Sequence, residues 1–150
     1  MATDVIRRAR ATDVPGLVAL LRVDAIGAID AEAPDDPVYL RAFEAIDADP
    51  NQLLLVGERA GQLIATLQLT FLQYLMHRGR KLALVEAVRV ASHLRSQGIG
   101  GELMKAAIEE AKRRGCARVQ LTSNKQRLAA HRFYERLGFI ASHEGMKLQL

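Results

Sequence analysis

Cysteine is nearly absent from this chain, in which Cys116 is the single one among 150 residues. One thiol excludes an intramolecular disulfide framework and any metal site built from several cysteines. We predict that Cys116 is a small buried side chain, because a nucleophilic cysteine would want a neighbouring histidine or a helix N-terminus. The four histidines, His77, His93, His131 and His143, show no paired ligand spacing. No metal site is therefore predicted.

Long hydrophobic runs and aromatic residues are also scarce. No apolar stretch approaches the roughly 20 residues of a membrane-spanning helix, and the first residues lack the apolar core of a signal peptide. Tryptophan is absent and aromatic residues make up 5% of the chain. The stacking platforms of nucleic-acid-binding proteins are thus not expected, despite a net charge of +4. We expect a cytoplasmic protein that binds neither nucleic acid nor membrane.

Length and composition predict one globular domain over residues 1–150, with 49% hydrophobic and 25% charged residues. The predicted element order is β-α-α-β-β-β-α-β-α-β, from hydrophobic periodicity and from turn and cap signals. The predicted elements are a strand at Val5–Arg10, a helix after Thr12 or Asp13, a loop at 27–37, a helix at Pro37–Ala48, strands at Gln52–Arg59 and Gln62–Leu72, a hairpin connection at 73–81, a strand at Leu82–Val90, a helix at 99–114, a strand at 117–122, a helix at 126–137 and a strand at 139–149.

A glycine-rich segment, Arg-Ser-Gln-Gly-Ile-Gly-Gly at residues 95–101, lies between an apolar run and an amphipathic helix. Such a turn leaves backbone N–H groups unpaired at the positive end of the helix dipole, which suits a phosphate or pyrophosphate. Glycine allows the ligand to approach the backbone closely, and Arg95 adds a positive charge. The alternative interpretation is an ordinary turn before a surface helix.

Two familiar glycine-rich patterns are set aside. The dinucleotide-binding fingerprint requires a third glycine where this chain has Leu103, and an acidic residue about 20 positions later, where residues 119–123 contain none. The P-loop requires Gly-Lys-Ser/Thr, which does not follow. The remaining pattern, Arg-x-x-Gly-x-Gly between a strand and a helix, resembles the acetyl-CoA pyrophosphate loop of the GCN5-related N-acetyltransferases (GNAT).

A second motif resembles the same family. Residues 123–139 read Ser-Asn-Lys-Gln-Arg-Leu-Ala-Ala-His-Arg-Phe-Tyr-Glu-Arg-Leu-Gly-Phe, a strand end and then a helix with Ala130 and Phe133 on one face. Gly138 stands where a left-handed C-cap belongs. The stretch looks like the C-terminal GNAT signature, Asn…Ala-x-x-Phe-Tyr-x-x-x-Gly-Phe, and the likeness covers residues 82–140 closely. It implies an α/β fold with a central mixed, mostly antiparallel sheet flanked by about four helices.

The resemblance also implies that acetyl-CoA is the cosubstrate. In relatives, the backbone of the strand before the loop pairs with the pantetheine arm, the loop grips the pyrophosphate, and an asparagine hydrogen-bonds the pantetheine. A plain central strand is the alternative for 88–90, and simple solvation is the alternative for Arg127 and His131. The expected cofactor-binding residues are Val88, Arg89, Val90, Arg95, Ser96, Gln97, Gly98, Ile99, Gly100, Gly101, Asn124, Arg127 and His131.

Acetyl transfer to an amine needs a base and an acid. An alkylamine with a pKa of about 10 is protonated at pH 7 and must lose a proton before it attacks. Glu86 is the predicted base, because an acid inside an apolar strand is costly to bury without a purpose and because it matches the glutamate of many relatives. A surface carboxylate paired with Arg or Lys is the alternative. Tyr134 matches the tyrosine near the CoA sulfur in relatives and is the predicted acid; Phe133 beside it faces about 100° away, so only one of them can lie fully on the core side.

The acceptor is predicted to be a primary amine of a small molecule, which attacks acetyl-CoA directly in a ternary complex. The alternatives are a protein or peptide N-acetyltransferase and a non-catalytic CoA-sensing domain. The acidic segment Asp30–Asp36 would suit a cationic amine but equally a solvated loop. Residues 122–143 also look similar to aminoalkylphosphonate acetyltransferases. A homodimer is predicted from the apolar segment Phe71–Met76, which ends in a hairpin.

Overall fold

Alternating apolar residues build a sheet that carries helices. The computed structural model describes residues 4–22 and 33–150. Within these residues the sheet has five strands in the order β1-β2-β3-β4-β5, and the pairs from β1 to β4 are antiparallel. The strands are β1 (Val5–Arg8), β2 (Gln52–Arg59), β3 (Gln62–Gln73), β4 (Lys81–Val90) and β5 (Arg118–Leu121). The predicted mixed α/β class with a mostly antiparallel sheet is confirmed.

The helices agree with the predicted order to within a few residues at their ends. In the described part of the chain they are α1 (Val14–Arg22), α2 (Pro37–Ala48), α3 (Met76–Gly79), α4 (Ile99–Arg113) and α5 (Leu128–Arg136). The short α3 is a single turn inside the predicted hairpin connection, and its His77 and Arg78 have φ of +52° and +61°. No helix among the described residues is long and apolar enough to cross a membrane.

The start of α2 shows how local sequence sets a helix boundary. The Asp36 carboxylate accepts a hydrogen bond from the Val38 N–H at 2.8 Å, and Pro37 occupies the first helical position. Both are favoured at a helix N-terminus. Of the loop predicted at 27–37, residues 27–32 lie outside the described part of the chain, and these include the first three residues of the acidic segment Asp30–Asp36.

Internal contacts divide the chain into two units, one ending at Gln120 and the other running from Leu121 to Leu150. In the first unit, residues that face each other across strands share a face of the sheet. The pairs Leu55–Leu67 and Leu69–Val85 are buried on the face that α4 covers. The opposite face carries Val56 in a cluster with residues of α1 and α2.

The predicted last strand at 139–149 is wrong. Residues 139–150 contain no strand, and residues 140–150 are all exposed. The alternating pattern gives this segment the side-chain periodicity of a strand, but a strand also needs hydrogen bonds to a neighbour. The backbone hydrogen bond found in this segment is local, from the Ser142 N–H to the Ile140 carbonyl at 2.9 Å.

Cys116 is half-buried instead of fully buried. Burial raises the pKa of its thiol, against a smaller opposing effect of Lys81 and Arg114. A thiol that resists ionisation is a poor nucleophile. The environment therefore agrees with the predicted structural role.

Candidate active site

The glycine-rich loop forms the N-terminal end of α4. Gly98 is the N-cap residue with φ +83°, a left-handed conformation that glycine adopts without strain. Since Gly98 has no side chain to accept a bond, no side chain caps this helix. The N–H groups of Ile99, Gly100 and Gly101 belong to the first turn, which has no preceding helical carbonyls to bond. Ser96 is also left-handed, with φ +63°, so the loop presents a group of donors at the positive end of the helix dipole.

The loop also leaves space beside its glycines. A Cβ atom placed on Gly98 or Gly101 would have no atom of the described chain within 4 Å. Gly57 differs, because a Cβ there would lie 3.3 Å from the Ala65 Cβ. Gly101 is helical and has no positive φ. Neither packing nor backbone conformation therefore accounts for glycine at this position.

Strand β4 contains a bulge just before the loop. Between its ladder partners at Glu86 and Arg89, β4 has two residues, Ala87 and Val88, opposite a single residue of β3. Ala87 has φ +53°, a conformation that costs a residue with a Cβ about 1–2 kcal/mol. A bulge interrupts the ladder and leaves backbone groups unpaired. Here it does so at the start of the segment, 88–90, that was predicted to bind the pantetheine arm.

Glu86 is exposed, so the prediction that it is buried is wrong. The reason is its place in the sheet, because Glu86 lies on the face opposite α4, next to its ladder partner Gln68. Apolar neighbours in the sequence, such as Val85, point to the other, buried face. The carboxylate therefore reaches solvent without a desolvation penalty, and its assignment as a base now depends on position.

A row of polar side chains leads to Glu86 along this face. The Gln68 amide donates to Gln52 Oε1 at 2.7 Å, and the Gln52 amide donates to Asp49 Oδ2 at 3.3 Å. The carboxylate of Asp49 only accepts, so it fixes both amides in this direction. Neither glutamine was singled out from the sequence, although Gln68 interrupts the apolar run of β3 as Glu86 interrupts that of β4.

The second unit brings three of the predicted cofactor-binding residues together by hydrogen bonds at the start of α5. The Asn124 carbonyl accepts from the Arg127 N–H at 3.0 Å and lies 2.9 Å from His131 Nε2. The Asn124 side-chain oxygen accepts from the Gln126 N–H at 2.9 Å. Since its oxygen is engaged locally, the side chain of Asn124 has its NH₂ group available to donate.

Tyr134 lies half-buried on α5 between two other aromatic rings. Its ring makes edge contacts with Phe133, at 5.1 Å between centroids, and with Phe139, at 5.9 Å. Edge-to-face packing of this kind is favourable and fixes the plane of the phenol ring. A phenol held in this way can present its hydroxyl in one direction.

The profile of the acetyltransferase (GNAT) family matches residues 17–139. This chain belongs to the GNAT family. It is 31% identical over 109 residues to an aminoalkylphosphonate N-acetyltransferase of Salmonella typhimurium. The aligned residues cover 73% of this chain and 70% of that protein. It is 43% identical to a transcriptional regulator from Bacillus halodurans C-125, whose crystal structure superposes with a TM-score of 0.92 over 99% of this chain and 100% of that one. A glucosamine-6-phosphate N-acetyltransferase from Arabidopsis thaliana, 23% identical, shares the fold with a TM-score of 0.81 over 98% of each chain.

GNAT acetyltransferases use acetyl-CoA, and the glycine loop is the segment of this member that was predicted to bind the pyrophosphate. The open space at Gly98 and Gly101 and the uncapped first turn of α4 are the observations that fit it. Once bound, acetyl-CoA supplies an activated acetyl group as a thioester. The chain is accordingly a GNAT acetyltransferase.

Of the predicted site residues, Glu86, Val88–Val90 and the loop follow one another along β4 and into α4 of the first unit. Asn124, Arg127, His131 and Tyr134 belong to the second unit. The bulge at Ala87 was missed, because a left-handed alanine leaves no mark in a sequence.

Proposed function

We propose that this protein is an N-acetyltransferase that transfers the acetyl group of acetyl-CoA to the primary amine of a small molecule. The amine nitrogen attacks the thioester carbonyl carbon directly within a ternary complex. The new C–N bond replaces the C–S bond, the amine loses a proton, and CoA leaves as a thiol. The observation that carries the proposal is the uncapped, open glycine loop at the start of α4.

The loop residues are proposed to hold the cofactor by their backbone. The N–H groups of Gln97–Gly101 would bind the pyrophosphate, and Arg95 would add its charge. Beyond the bulge, the backbone of Val88–Val90 would pair with the pantetheine arm as an added strand does. Asn124 would donate its NH₂ group to the same arm, with Arg127 and His131 near the nucleotide phosphates.

Glu86 is proposed to accept the amine proton, directly or through water. The exposed carboxylate lies on the sheet face opposite α4, beside Gln68. Because Asp49 orients the two glutamines, Gln68 presents its carbonyl oxygen away from Gln52. Two acceptors side by side suit a protonated amine, which offers only donors.

Tyr134 is proposed to protonate the leaving thiolate. A phenol with a pKa of about 10 can give a proton to a sulfur whose thiol has a pKa of about 8.5 when the two are hydrogen-bonded as the C–S bond breaks. The aromatic contacts with Phe133 and Phe139 support this role, because they fix the ring.

The relatives suggest which amines to try first. The Salmonella relative is an aminoalkylphosphonate N-acetyltransferase, so aminoalkylphosphonates belong at the head of an amine panel, followed by simple diamines and amino sugars. Peptides with free N-termini or lysines test the protein-acetylating alternative. A CoA-sensing domain would bind acetyl-CoA and turn over none of these.

The decisive experiment is calorimetric titration of acetyl-CoA and CoA into the wild type and into Gly100→Glu. The added carboxylate should block approach to the backbone and repel the pyrophosphate, so we expect binding to be lost. Gly145→Glu, which adds the same side chain at an exposed position outside the loop, should bind normally. A folded wild type that binds neither ligand would overturn the proposal.

Turnover is then measured by thiol release with each amine. With an accepted amine, Tyr134→Phe and Glu86→Gln should lower kcat by about 10²-fold or more, the usual contribution of a general acid or base. Their affinity for acetyl-CoA should stay close to that of the wild type. Unchanged kcat in either variant would remove that residue from the mechanism.

A further inference from the structure

The turn between α2 and β2 fixes both oxygens of the Asp49 carboxylate. Asp49 is the C-cap residue of α2, and Gln52 is the first residue of β2. The Asn51 N–H donates to Asp49 Oδ1 at 2.8 Å, and the Gln52 N–H donates to the Asp49 carbonyl at 3.0 Å. The second carboxylate oxygen, Oδ2, accepts from the Gln52 side-chain amide at 3.3 Å. Each carboxylate oxygen therefore has a donor of its own.

The direction of the amides that follow is set at Asp49. A carboxylate only accepts, whereas an amide side chain has one accepting end and one donating end. Because Gln52 donates to Asp49, its oxygen is left for Gln68, whose NH₂ group donates to it at 2.7 Å. The two glutamines, called the amide row below, thus leave the accepting end of Gln68 at the far end from Asp49.

The amide row ends beside Glu86. Gln68 and Glu86 are ladder partners on the sheet face opposite α4, and side chains directly opposite each other have Cβ atoms about 4.5–5.5 Å apart. One small group can therefore reach both of them. In the part of the chain that the structure describes, no group donates to the Gln68 carbonyl oxygen or to the Glu86 carboxylate. Two acceptors without a donor suit a ligand group that only donates, as an ammonium group does.

We propose that the amide row selects a protonated amine as the acceptor substrate, and that Asp49 is the positioning residue that sets this preference without touching the substrate. The inference rests on the proposed function, because it requires the acceptor amine to lie beside Glu86. Gln68 accepts a hydrogen bond from the ammonium group, and Glu86 then takes the proton that the amine must lose. An uncharged amine is bound less well, since hydrogen bonds from charged donors are roughly twice as strong as those from neutral ones.

Asp49→Asn should reverse the row while hardly changing the size of a side chain. The Asn51 N–H still requires an acceptor, so the oxygen of the new amide stays there and its NH₂ group faces Gln52. Gln52 then accepts from position 49 and donates to Gln68. Gln68 in turn presents its NH₂ group beside Glu86, where a donor opposes an ammonium group instead of binding it.

Two changes at Gln52 separate the direction of the row from other effects. Asp49→Asn combined with Gln52→Glu places a carboxylate in the middle of the row. Since that carboxylate only accepts, it takes a hydrogen bond from both neighbours, and Gln68 regains its native direction. Gln52→Lys acts in the opposite sense with Asp49 intact, because an ammonium group only donates. It should reverse Gln68 as Asp49→Asn does.

The test measures kcat and KM by thiol release for an accepted alkylamine and for the O-alkylhydroxylamine of the same length, whose nitrogen is uncharged at pH 7. Asp49→Asn and Gln52→Lys should each raise KM for the alkylamine about tenfold or more and lower the preference for it over the hydroxylamine. The double variant should recover both values. Asp47→Asn is the matched control, because it makes the same change at an exposed carboxylate of α2 that pairs with Arg8, and it should behave as the wild type does.

The outcomes distinguish this inference from the function on which it rests. A wild type that binds acetyl-CoA but acetylates no amine would overturn both. A wild type that acetylates the alkylamine, with the same preference in Asp49→Asn, would overturn the inference alone. A double variant that fails to recover would show that the charge of Asp49 matters and the row does not. Circular dichroism verifies folding, and Gln52→Lys makes the same comparison if Asp49→Asn does not fold.

Discussion

Replacing Gly101 by alanine should stabilise this protein and at the same time weaken its binding of acetyl-CoA. Gly101 lies in the first turn of α4, has no positive φ, and leaves its Cβ position free of contacts within 4 Å. Alanine is favoured over glycine by about 0.8–1.0 kcal/mol in a helix interior. The folded chain therefore loses nothing when a methyl group is added there.

The expected magnitudes follow from these values. For Gly101→Ala in the first turn of the helix, we expect the free energy of unfolding to rise by about 0.5–1 kcal/mol. In a chain of this size, that raises Tm by about 1–4 °C. In the proposed site, the same methyl group occupies space that the pyrophosphate would need in order to reach the backbone N–H groups. We expect Kd for acetyl-CoA to rise about tenfold or more, since tenfold corresponds to about 1.4 kcal/mol.

The assay pairs thermal unfolding, followed by circular dichroism, with calorimetric titration of acetyl-CoA. Lys105→Ala is the matched control, because it lies one turn further along α4 and breaks only an exposed ion pair with Glu102. It should leave Kd unchanged. A Gly101→Ala variant with the Kd of the wild type would refute the assignment of this space to the pyrophosphate. A lower Tm would refute the claim that the space is free.

Three further predictions concern stability. Ala87→Gly should raise the free energy of unfolding by roughly 1 kcal/mol, because Ala87 has a positive φ; a drop in urea midpoint would mean that the left-handed conformation is not strained. The hydrogen bond from Arg113, which has the largest effect, and a further one from Arg114 lower the pKa of Glu110 from 4.5 to about 2, while burial opposes them. The stability that Glu110 contributes is thus fully present above about pH 4.5 and is lost as the pH falls through about 2. In Glu110→Gln, the free energy of unfolding should therefore depend less steeply on pH in that window. The same pH dependence in the variant and the wild type would contradict the ion pairs. Leu103→Ala should cost about 2–5 kcal/mol, since Leu103 is fully buried, and a loss below 1 kcal/mol by urea titration would show that α4 packs loosely.

Much of the fold could be predicted from the sequence, because local signals and burial agree along most of the chain. The turn at Ala60-Gly61, where both residues have a positive φ, and the cap at Asp36 fix boundaries through a few neighbouring residues. Residues 139–149 show the limit of this reasoning. Their alternation is a property of side chains, whereas a strand also depends on a neighbouring backbone that no local pattern specifies.

The candidate site could likewise be predicted only in part from the sequence. The glycine loop could be singled out from the sequence because the requirement proposed for it, a backbone close to an anion, acts directly on residue type. Glu86 was chosen for a reason that proved wrong, since the sequence does not say which face of a strand is covered. The amide row of Gln52 and Gln68 depends on strand register, which follows from pairing between residues that are distant in the chain.

The bulge in β4 changes the backbone of the strand without changing the packing of the sheet. Because Ala87 and Val88 together oppose one residue of β3, a chain lacking Ala87 would keep Glu86 and Arg89 on the face that they share now. The buried residues before the bulge would be untouched. The glycine loop would keep its place as well, because Arg89 would still lie opposite Thr66. The extra residue is therefore absorbed locally, and its effect is confined to the direction of the backbone groups between Glu86 and Arg89.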